Sequence, residues 1–144
     1  MQIKVKFKKL SENAVIPQKN NSSDAGLDFC STENVLIKAG SSACIGTGIA
    51  WQPDTPFCYL QMKGRSGLCF KKGLELCNAG VIDSGYTGEI RVLLHNTLNT
   101  DYEIKEGDKI AQGIVFPLPE LVVEEVSELD ETDRGAKGFG SSGR

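Results

Sequence analysis

The sequence predicts an all-β protein, and three observations support this fold class. Short apolar runs are separated by turn signals at intervals of about ten residues along most of the chain. At the N-terminus Ile3, Val5 and Phe7 alternate with lysines, which is the period of a half-exposed strand. No long amphipathic helical pattern is present. These features favour a sandwich or a barrel.

The individual elements are predicted in chain order from the same patterns. Strand 89–95 places Ile90, Val92 and Leu94 on one face. The stretch GVIDSGYTGEI, residues 80–90, is predicted to form a hairpin, and a short helical turn is expected near residues 67–71. The predicted strands are 3–7, 35–37, 43–51, 57–62, 89–95, 109–116 and 121–126.

Length and composition narrow the class of protein. The 144 residues are enough for one domain with its own core. A net charge of −3 disfavours duplex nucleic acid as a partner, because phosphate-backbone binding needs a basic face. No apolar run is long enough to span a membrane and the N-terminus lacks a secretory core, so a cytoplasmic or nuclear location is expected. Five cysteines without a CxxC pair predict reduced thiols rather than a zinc site.

The C-terminal segment differs from the rest in composition. Residues 133–144, DRGAKGFGSSGR, are rich in glycine and serine and cannot build a core. We therefore expect one all-β domain over residues 1–130, followed by a flexible C-terminal arm over residues 131–144.

Two clusters combine a turn with groups that suit catalysis or anion binding. Asp83 lies at the turn of the predicted hairpin, where an aspartate ordinarily caps the turn through its own side chain. The turn GRSGL, residues 64–68, offers the Arg65 guanidinium, the Ser66 hydroxyl and backbone N–H groups around Gly67. Such a turn can hold anionic oxygens, although a plain surface turn has the same composition.

Two further clusters extend this pattern. Asp24 and Asp28 in SDAGLD suit a hard cation such as Mg²⁺, or they cap local turns. The C-terminal arm carries Arg134 and Lys137 beside glycines that allow close approach of phosphates, with Phe139 among them. A disordered tail is the plainer interpretation of the arm. Together the four clusters suit one ligand, a nucleoside triphosphate with a divalent cation.

The residues also carry a family resemblance. The chain resembles the homotrimeric dUTP pyrophosphatases (dUTPases) over essentially its full length, in five ordered motifs. These are DAGLDFCS (24–31), GRSGL (64–68), NAGVIDSGYTGEI (78–90), GDKIAQGIVFP (107–117) and RGAKGFGSSG (134–143).

The resemblance implies a fold and an activity. It implies a distorted jelly-roll, or β-clip, subunit that assembles as a homotrimer with active sites shared between subunits. It implies hydrolysis of dUTP to dUMP and pyrophosphate with Mg²⁺. No nucleic-acid or membrane partner is expected.

The resemblance also implies residue roles. Asp83 would be the general base, and Gln112 would contact phosphate or the catalytic water. Tyr86 would pack on the deoxyribose and exclude a ribose 2′-hydroxyl. Asp28 would contact the water shell of the metal. Expected substrate-binding residues are Arg65, Ser66, Gly67, Asn78, Gly80, Val81, Tyr86, Arg134, Gly138, Phe139, Gly140, Ser141, Ser142 and Gly143.

The chain departs from the family pattern in a few places, and two alternative functions remain open. Gly64 stands where the second motif often has proline, and Lys109 stands where the fourth usually has arginine. Lysine keeps the charge but loses a planar fork of donors. Lys137 adds a positive charge to the fifth motif. The alternatives are an enzyme related to dCTP deaminases and a non-catalytic module that binds dUTP.

Overall fold

The computed structural model of the chain is built almost entirely of antiparallel strands. It describes residues 2–77, 80–140 and 143. Within these residues there is one short helix, α1 (Ser66–Lys72), which is not long enough to cross a membrane. The strands are β1 (Val5–Lys9), β2 (Leu27–Cys30), β3 (Val35–Ile37), β4 (Ser42–Gly46), β5 (Ile49–Pro53), β6 (Cys58–Lys63), β7 (Leu74–Leu76), β8 (Val81–Asp83), β9 (Arg91–Asn96), β10 (Tyr102–Ile104) and β11 (Lys109–Pro117).

The strands form four small sheets that enclose one core. Their strand orders are β1-β5, β3-β10, β2-β11-β6-β8 and β4-β9-β7, with antiparallel pairing throughout. The inward faces meet in a single cluster whose largest members include Trp51, Phe29 and Leu60, each at most 1% exposed. Short strands in separate sheets gain their stability from this shared core rather than from long ladders.

Most predicted elements are confirmed. The inward face of β9 carries Val92 and Leu94, and Ile90 just before it is equally buried. The helical turn near residues 67–71 is α1. The apolar run 43–51 is divided into β4 and β5, because Gly48 between them has φ +63° and a Cβ there would lie 2.8 Å from Ala14 Cβ. Strands β2, β7 and β10 have three or four residues each and were not predicted.

Two predicted elements are wrong for the isolated chain. Residues 80–90 do not form a two-stranded hairpin: β8 pairs with β6, whereas β9 pairs with β4 and β7 in another sheet. Residues 121–126 do not form a strand, although four of the six are apolar. Val122 and Val123 are 95% and 91% exposed, because nothing in the described part of the chain offers this segment a partner strand or a core.

The four-stranded sheet sets the geometry of the site. Asp28 on β2, Gln112 on β11 and Lys63 on β6 lie in one row across it. Asp83 on β8 lies opposite Tyr59, at the other end of β6. The offset is about 13 Å along the strands and about 14 Å across them, so Asp83 and Asp28 are about 20 Å apart.

Candidate functional site

Three of the sequence motifs meet at one cavity, which we call the Asp28 cavity. It has a volume of ≈ 270 Å³ and opens where β2 and β11 approach the start of α1. The sheet order explains the meeting, because β2 and β6 both flank β11. The cavity is lined by Asn20, Asp24, Ala25, Gly26, Asp28, Arg65, Ser66, Gly67 and Gln112.

The Asp28 carboxylate pairs with two cations, Arg65 from the cavity lining and Lys109 from outside it. Its Oδ1 accepts from Arg65 Nε at 3.1 Å, and its Oδ2 lies 2.9 Å from Lys109 Nζ. Lys109 also donates to the side-chain oxygen of Asn20. The Asp28 side chain is only 14% exposed, so this arrangement neutralises a largely buried charge. The lysine that replaces the usual arginine is thus paired with Asp28, and Arg65 is held at the mouth of the cavity.

The first turn of α1 presents donors to the same cavity. Arg65 precedes the helix in an extended conformation and provides no side-chain cap, and the first turn contains no acidic residue. A Cβ on Gly67 would meet no atom within 4 Å, so an incoming group can approach the backbone there. The N–H groups of a first helical turn, together with a guanidinium, suit phosphate oxygens.

Gln112 closes the floor of the cavity. Its Nε2 donates to the carbonyl oxygen of Gly64 at 3.0 Å and so fixes the turn before Arg65. A Cβ on Gly26 would lie 2.7 Å from the Gln112 Oε1, which explains the glycine at that position. The amide therefore connects the first, second and fourth motifs.

The Asp83 side chain lies at a second cavity, of ≈ 330 Å³, which we call the Asp83 cavity. Its lining is Val81, Ile82, Asp83, Tyr86, Glu89 and Arg91. Asp83 is exposed and ends β8. Its backbone oxygen accepts from the Tyr86 N–H at 3.1 Å, which closes a β-turn, and also from Trp51 Nε1 at 3.2 Å.

The Tyr86 ring is held as a wall of this cavity. Its hydroxyl donates to the Glu89 carbonyl oxygen at 3.0 Å. A Cβ on Gly88 would lie 2.5 Å from that hydroxyl oxygen, so only glycine leaves room for the ring. The side chain remains 47% exposed, with one face open to a ligand.

The structure describes only part of the third-motif backbone that is predicted to bind the uracil edge. Asn78 lies outside the described residues. Gly80 has φ +80°, and its carbonyl oxygen accepts from the Met62 N–H at 2.6 Å. A Cβ on Gly80 would lie 2.8 Å from the Met62 carbonyl oxygen, so this close approach to β6 requires glycine. Val81 follows at the start of β8 and is 55% exposed.

Among its described residues, the C-terminal arm lines neither cavity. Arg134 Nε donates to the Lys137 carbonyl oxygen at 2.9 Å, which forms a small local turn. Phe139 is fully exposed, with φ +52°, between Gly138 and Gly140. Ser141 and Ser142 lie outside the described residues, and Gly143 is exposed.

Sequence reasoning missed several residues of the site. Trp51, Glu89, Arg91 and Asn20 had no assigned role there, although Glu89 and Arg91 directly follow the third motif's turn. Arg91 donates to Cys44 Sγ at 3.3 Å and to Glu89 Oε2 at 2.9 Å, and these bonds raise the pKa of its guanidinium. Its position two residues after Glu89 is a signal that both side chains share one face of the predicted strand 89–95.

The donor set fits a magnesium ion that arrives on phosphates. Among the described residues no three His, Cys, Asp or Glu side chains are placed to hold a metal ion. Asp24 accepts from the backbone N–H of Asn21 at 2.9 Å and so caps its own turn. Asp28 and Asp24 nevertheless line one cavity. Mg²⁺ commonly keeps its waters and uses one or two carboxylates besides substrate phosphates.

Comparison with known proteins agrees with this geometry. The dUTPase family model matches residues 12–143. The chain is 46% identical to the deoxyuridine 5′-triphosphate nucleotidohydrolase of Nautilia profundicola, over 99% of this chain and 100% of that protein. It is 44% identical to the enzyme of the same name from Helicobacter hepaticus, over 96% of this chain and 88% of that one.

Solved structures show the same similarity. A mutant of Staphylococcus bacteriophage 80alpha dUTPase with dUpNHpp matches with a TM-score of 0.89 and 28% identity, over 98% of this chain and 99% of the other. A mutant dUTPase from phage phi11 of S. aureus, which reveals the coordination of a structural Mg(II) ion, matches with a TM-score of 0.81 and 27% identity, over 89% and 99%. The family match over nearly the whole chain and the relatives above 40% identity establish that this chain belongs to the dUTPase family.

Proposed function

We propose that the protein hydrolyses dUTP to dUMP and pyrophosphate. The observation that carries this proposal is the turn at the Asp83 cavity. There an exposed carboxylate and the fixed ring of Tyr86 lie three residues apart in one β-turn, which the bond from the Tyr86 N–H to the Asp83 backbone oxygen closes. Hydrolysis needs a base such as the Asp83 carboxylate, and selection of a deoxynucleotide needs a fixed group such as the Tyr86 ring that excludes a 2′-hydroxyl. The reaction limits uracil incorporation into DNA and supplies dUMP for thymidylate synthesis.

Asp83 is the proposed general base. Its carboxylate orients a water molecule and takes its proton as the water oxygen bonds to the α-phosphorus. The bond from that phosphorus to the bridging oxygen of the β-phosphate breaks, and pyrophosphate leaves with the electron pair. A positioned base of this kind contributes about 10²- to 10⁴-fold in rate.

The Asp28 cavity is the proposed phosphate site. Arg65 binds phosphate oxygens while its Nε remains on Asp28, and the Ser66 and Gly67 N–H groups add neutral donors. Gln112 holds this turn in place and reaches phosphate or the attacking water. Mg²⁺, bound to the triphosphate, would neutralise charge there, with Asp28 and Asp24 contacting its water shell.

Base and sugar selectivity are assigned to the third motif. Backbone groups of Asn78, Gly80 and Val81 pair with the edge of uracil, and cytosine would leave polar groups unpaired at about 1–3 kcal/mol each. The Tyr86 ring, fixed by its bond to the Glu89 carbonyl oxygen, leaves no space for a 2′-hydroxyl.

The C-terminal arm is proposed to complete the site over the domain formed by residues 1–130. In this proposal Phe139 covers the uracil ring and the arm's other ligand residues bind the phosphates. The exposure of Phe139 in the isolated chain supports such a role, since an unpacked aromatic ring is costly to leave in water. The other arm residues are Arg134, Gly138, Gly140, Ser141, Ser142 and Gly143.

The proposal further requires a homotrimer with shared sites. The register of the four-stranded sheet supports this arrangement, because it sets Asp83 and Asp28 of one chain about 20 Å apart, a long span for one dUTP to bridge in a reactive arrangement. In the proposal the Asp28 cavity of one copy faces the Asp83 cavity of another. The exposed apolar residues Val122 and Val123 also favour burial between copies.

A cytoplasmic or nuclear location remains a prediction.

The test is release of pyrophosphate from dUTP, dTTP, dCTP and UTP in parallel with Mg²⁺. Rapid release from dUTP alone supports the proposal. Ammonia release from dCTP would move the chain to the deaminase alternative, and binding of dUTP without turnover would make it a binding module. Asp83→Asn should lose turnover about 10²-fold or more while it keeps nucleotide binding. Equal loss of binding and turnover would contradict the role of base.

A further inference from the structure

Trp51 forms a direct connection between the core and the turn that carries Asp83. Its indole is 1% exposed and belongs to β5, in a different sheet from β8. Its Nε1 nevertheless donates to the Asp83 backbone oxygen at 3.2 Å. The two residues are far apart in sequence, so the bond joins two separate sheets of the fold.

The acceptor of this bond is the same atom that closes the turn to Tyr86. The Asp83 backbone oxygen accepts from the Tyr86 N–H at 3.1 Å as well as from the indole. One oxygen therefore sets the peptide plane between residues 83 and 84. The direction of this plane determines where the Asp83 carboxylate and the Tyr86 ring lie relative to each other.

The location of β8 gives this bond particular weight. In the described part of the chain β8 is a three-residue edge strand that pairs only with β6. Such an edge has few backbone bonds to hold its last residue. Among the described residues, the other side-chain bonds of this turn run from Ser84 Oγ to the Pro56 carbonyl oxygen at 3.3 Å and from the Tyr86 hydroxyl to the Glu89 carbonyl oxygen at 3.0 Å, both on exposed parts of the turn. Of these three donors only the Trp51 indole belongs to the rigid core.

We infer that Trp51 is a positioning residue for catalysis, which fixes the Asp83–Tyr86 turn through its indole N–H. It thereby couples the position of the Asp83 carboxylate to the position of the Tyr86 ring. The inference rests on the proposed function and deepens it. Trp51 does not line the Asp83 cavity, and it acts only through the backbone of Asp83. A buried Trp with a purely structural role would satisfy its N–H in the same way, so the test must separate position from stability.

The test compares variants that remove the N–H with variants that do not. Trp51 replaced by 3-benzothienyl-alanine keeps the bicyclic shape and loses only the donor, and Trp51→Phe loses the donor and some volume. Phe7→Leu is the matched packing control, because Phe7 lies opposite Trp51 in the β1-β5 pair. Ser84→Ala removes the surface bond of the same turn.

For both Trp51 variants we expect about a tenfold loss in kcat on dUTP and a comparable loss in preference for dUTP over UTP. The Phe7→Leu and Ser84→Ala variants should keep kcat and the preference within about twofold, even where the melting temperature falls. Unchanged kcat and preference in the benzothienyl variant would overturn the inference, whatever happens to stability.

Wild-type protein and binding measurements distinguish failure of the inference from failure of the proposed function. If the wild type does not hydrolyse dUTP, the proposed function fails. The relative affinity for α,β-imido-dUTP and α,β-imido-UTP, measured by calorimetry, then still tests the inference. A ratio that changes about tenfold in the benzothienyl variant supports the coupling, whereas an unchanged ratio, or no binding by the wild type, overturns it.

Discussion

Mixing two inactive variants should restore activity if the site is shared between copies. Asp83→Asn disables the Asp83 cavity, and Arg65→Ala disables the Asp28 cavity. Neither variant alone should turn over dUTP at more than a few per cent of the wild-type rate. Refolding or co-expressing them in equal amounts creates mixed trimers in which some sites contain one intact half from each chain.

The expected recovery follows from the register of the four-stranded sheet. In the proposed trimer each site takes its Asp83 cavity and its Asp28 cavity from different copies, because Asp83 and Asp28 lie about 20 Å apart within one chain. With random assembly, half of the chains that contribute Asp83 are intact, and half of those that contribute Arg65 are intact. About one quarter of the sites should therefore be fully wild type.

The assay is steady-state pyrophosphate release at saturating dUTP, with trimers confirmed by light scattering. A pair with both defects in one half, Arg65→Ala mixed with Gln112→Ala, is the matched control. It should recover nothing, because Arg65 and Gln112 reach each site from the same chain. Recovery of less than a few per cent with the Asp83→Asn mixture, despite proven subunit exchange, would refute a shared site. So would a monomer with full activity.

Three other predictions follow from the geometry. Gly88→Ala should lower kcat/KM for dUTP about tenfold, because the new Cβ displaces the Tyr86 ring and breaks the bond of its hydroxyl. Steady-state kinetics should show little change for the control Gly85→Ala, where a Cβ meets open space. Cys30 should react with iodoacetamide far more slowly than the exposed Cys44, because burial raises the pKa of the Cys30 thiol and so lowers its thiolate fraction. Peptide mass spectrometry at pH 8 measures both rates, and equal rates would contradict this prediction. Removal of the C-terminal arm should lower kcat/KM at least tenfold without changing the oligomeric state, and an unchanged rate would exclude the arm from the site.

The sequence predicted the fold class and most strands because the periods of burial are local. The alternation in β9 and the apolar run of β6 are visible in a few consecutive residues. The hairpin predicted at residues 80–90 failed for a non-local reason. Its first strand, β8, pairs with β6, and the strand that follows it, β9, pairs with β4. No local sequence pattern shows these pairings. Short strands such as β10 were not predicted, because three residues are too few to show a period of burial.

The residues of the site were predictable from composition and resemblance, but their grouping was not. The motifs identified Asp28, Arg65 and Gln112 as site residues, and the structure brings these three to one cavity. The sequence does not show that Lys109 pairs with Asp28, since that contact depends on the register between β2 and β11. Trp51 lies in the core, and its bond to Asp83 depends on how two sheets pack, which no local pattern shows.

In the proposed assembly, the sheet order also makes activity depend on the contacts between copies. The strand order β2-β11-β6-β8 and its register place the Asp28 cavity at one end of the sheet and the Asp83 cavity at the other. Under the proposal each chain therefore provides two half-sites that belong to different complete sites. A substitution that only weakens contacts between copies, such as a charge at the exposed Val123, would then lower turnover without altering either cavity. Its activity should recover with rising protein concentration, whereas the loss in Asp83→Asn should not.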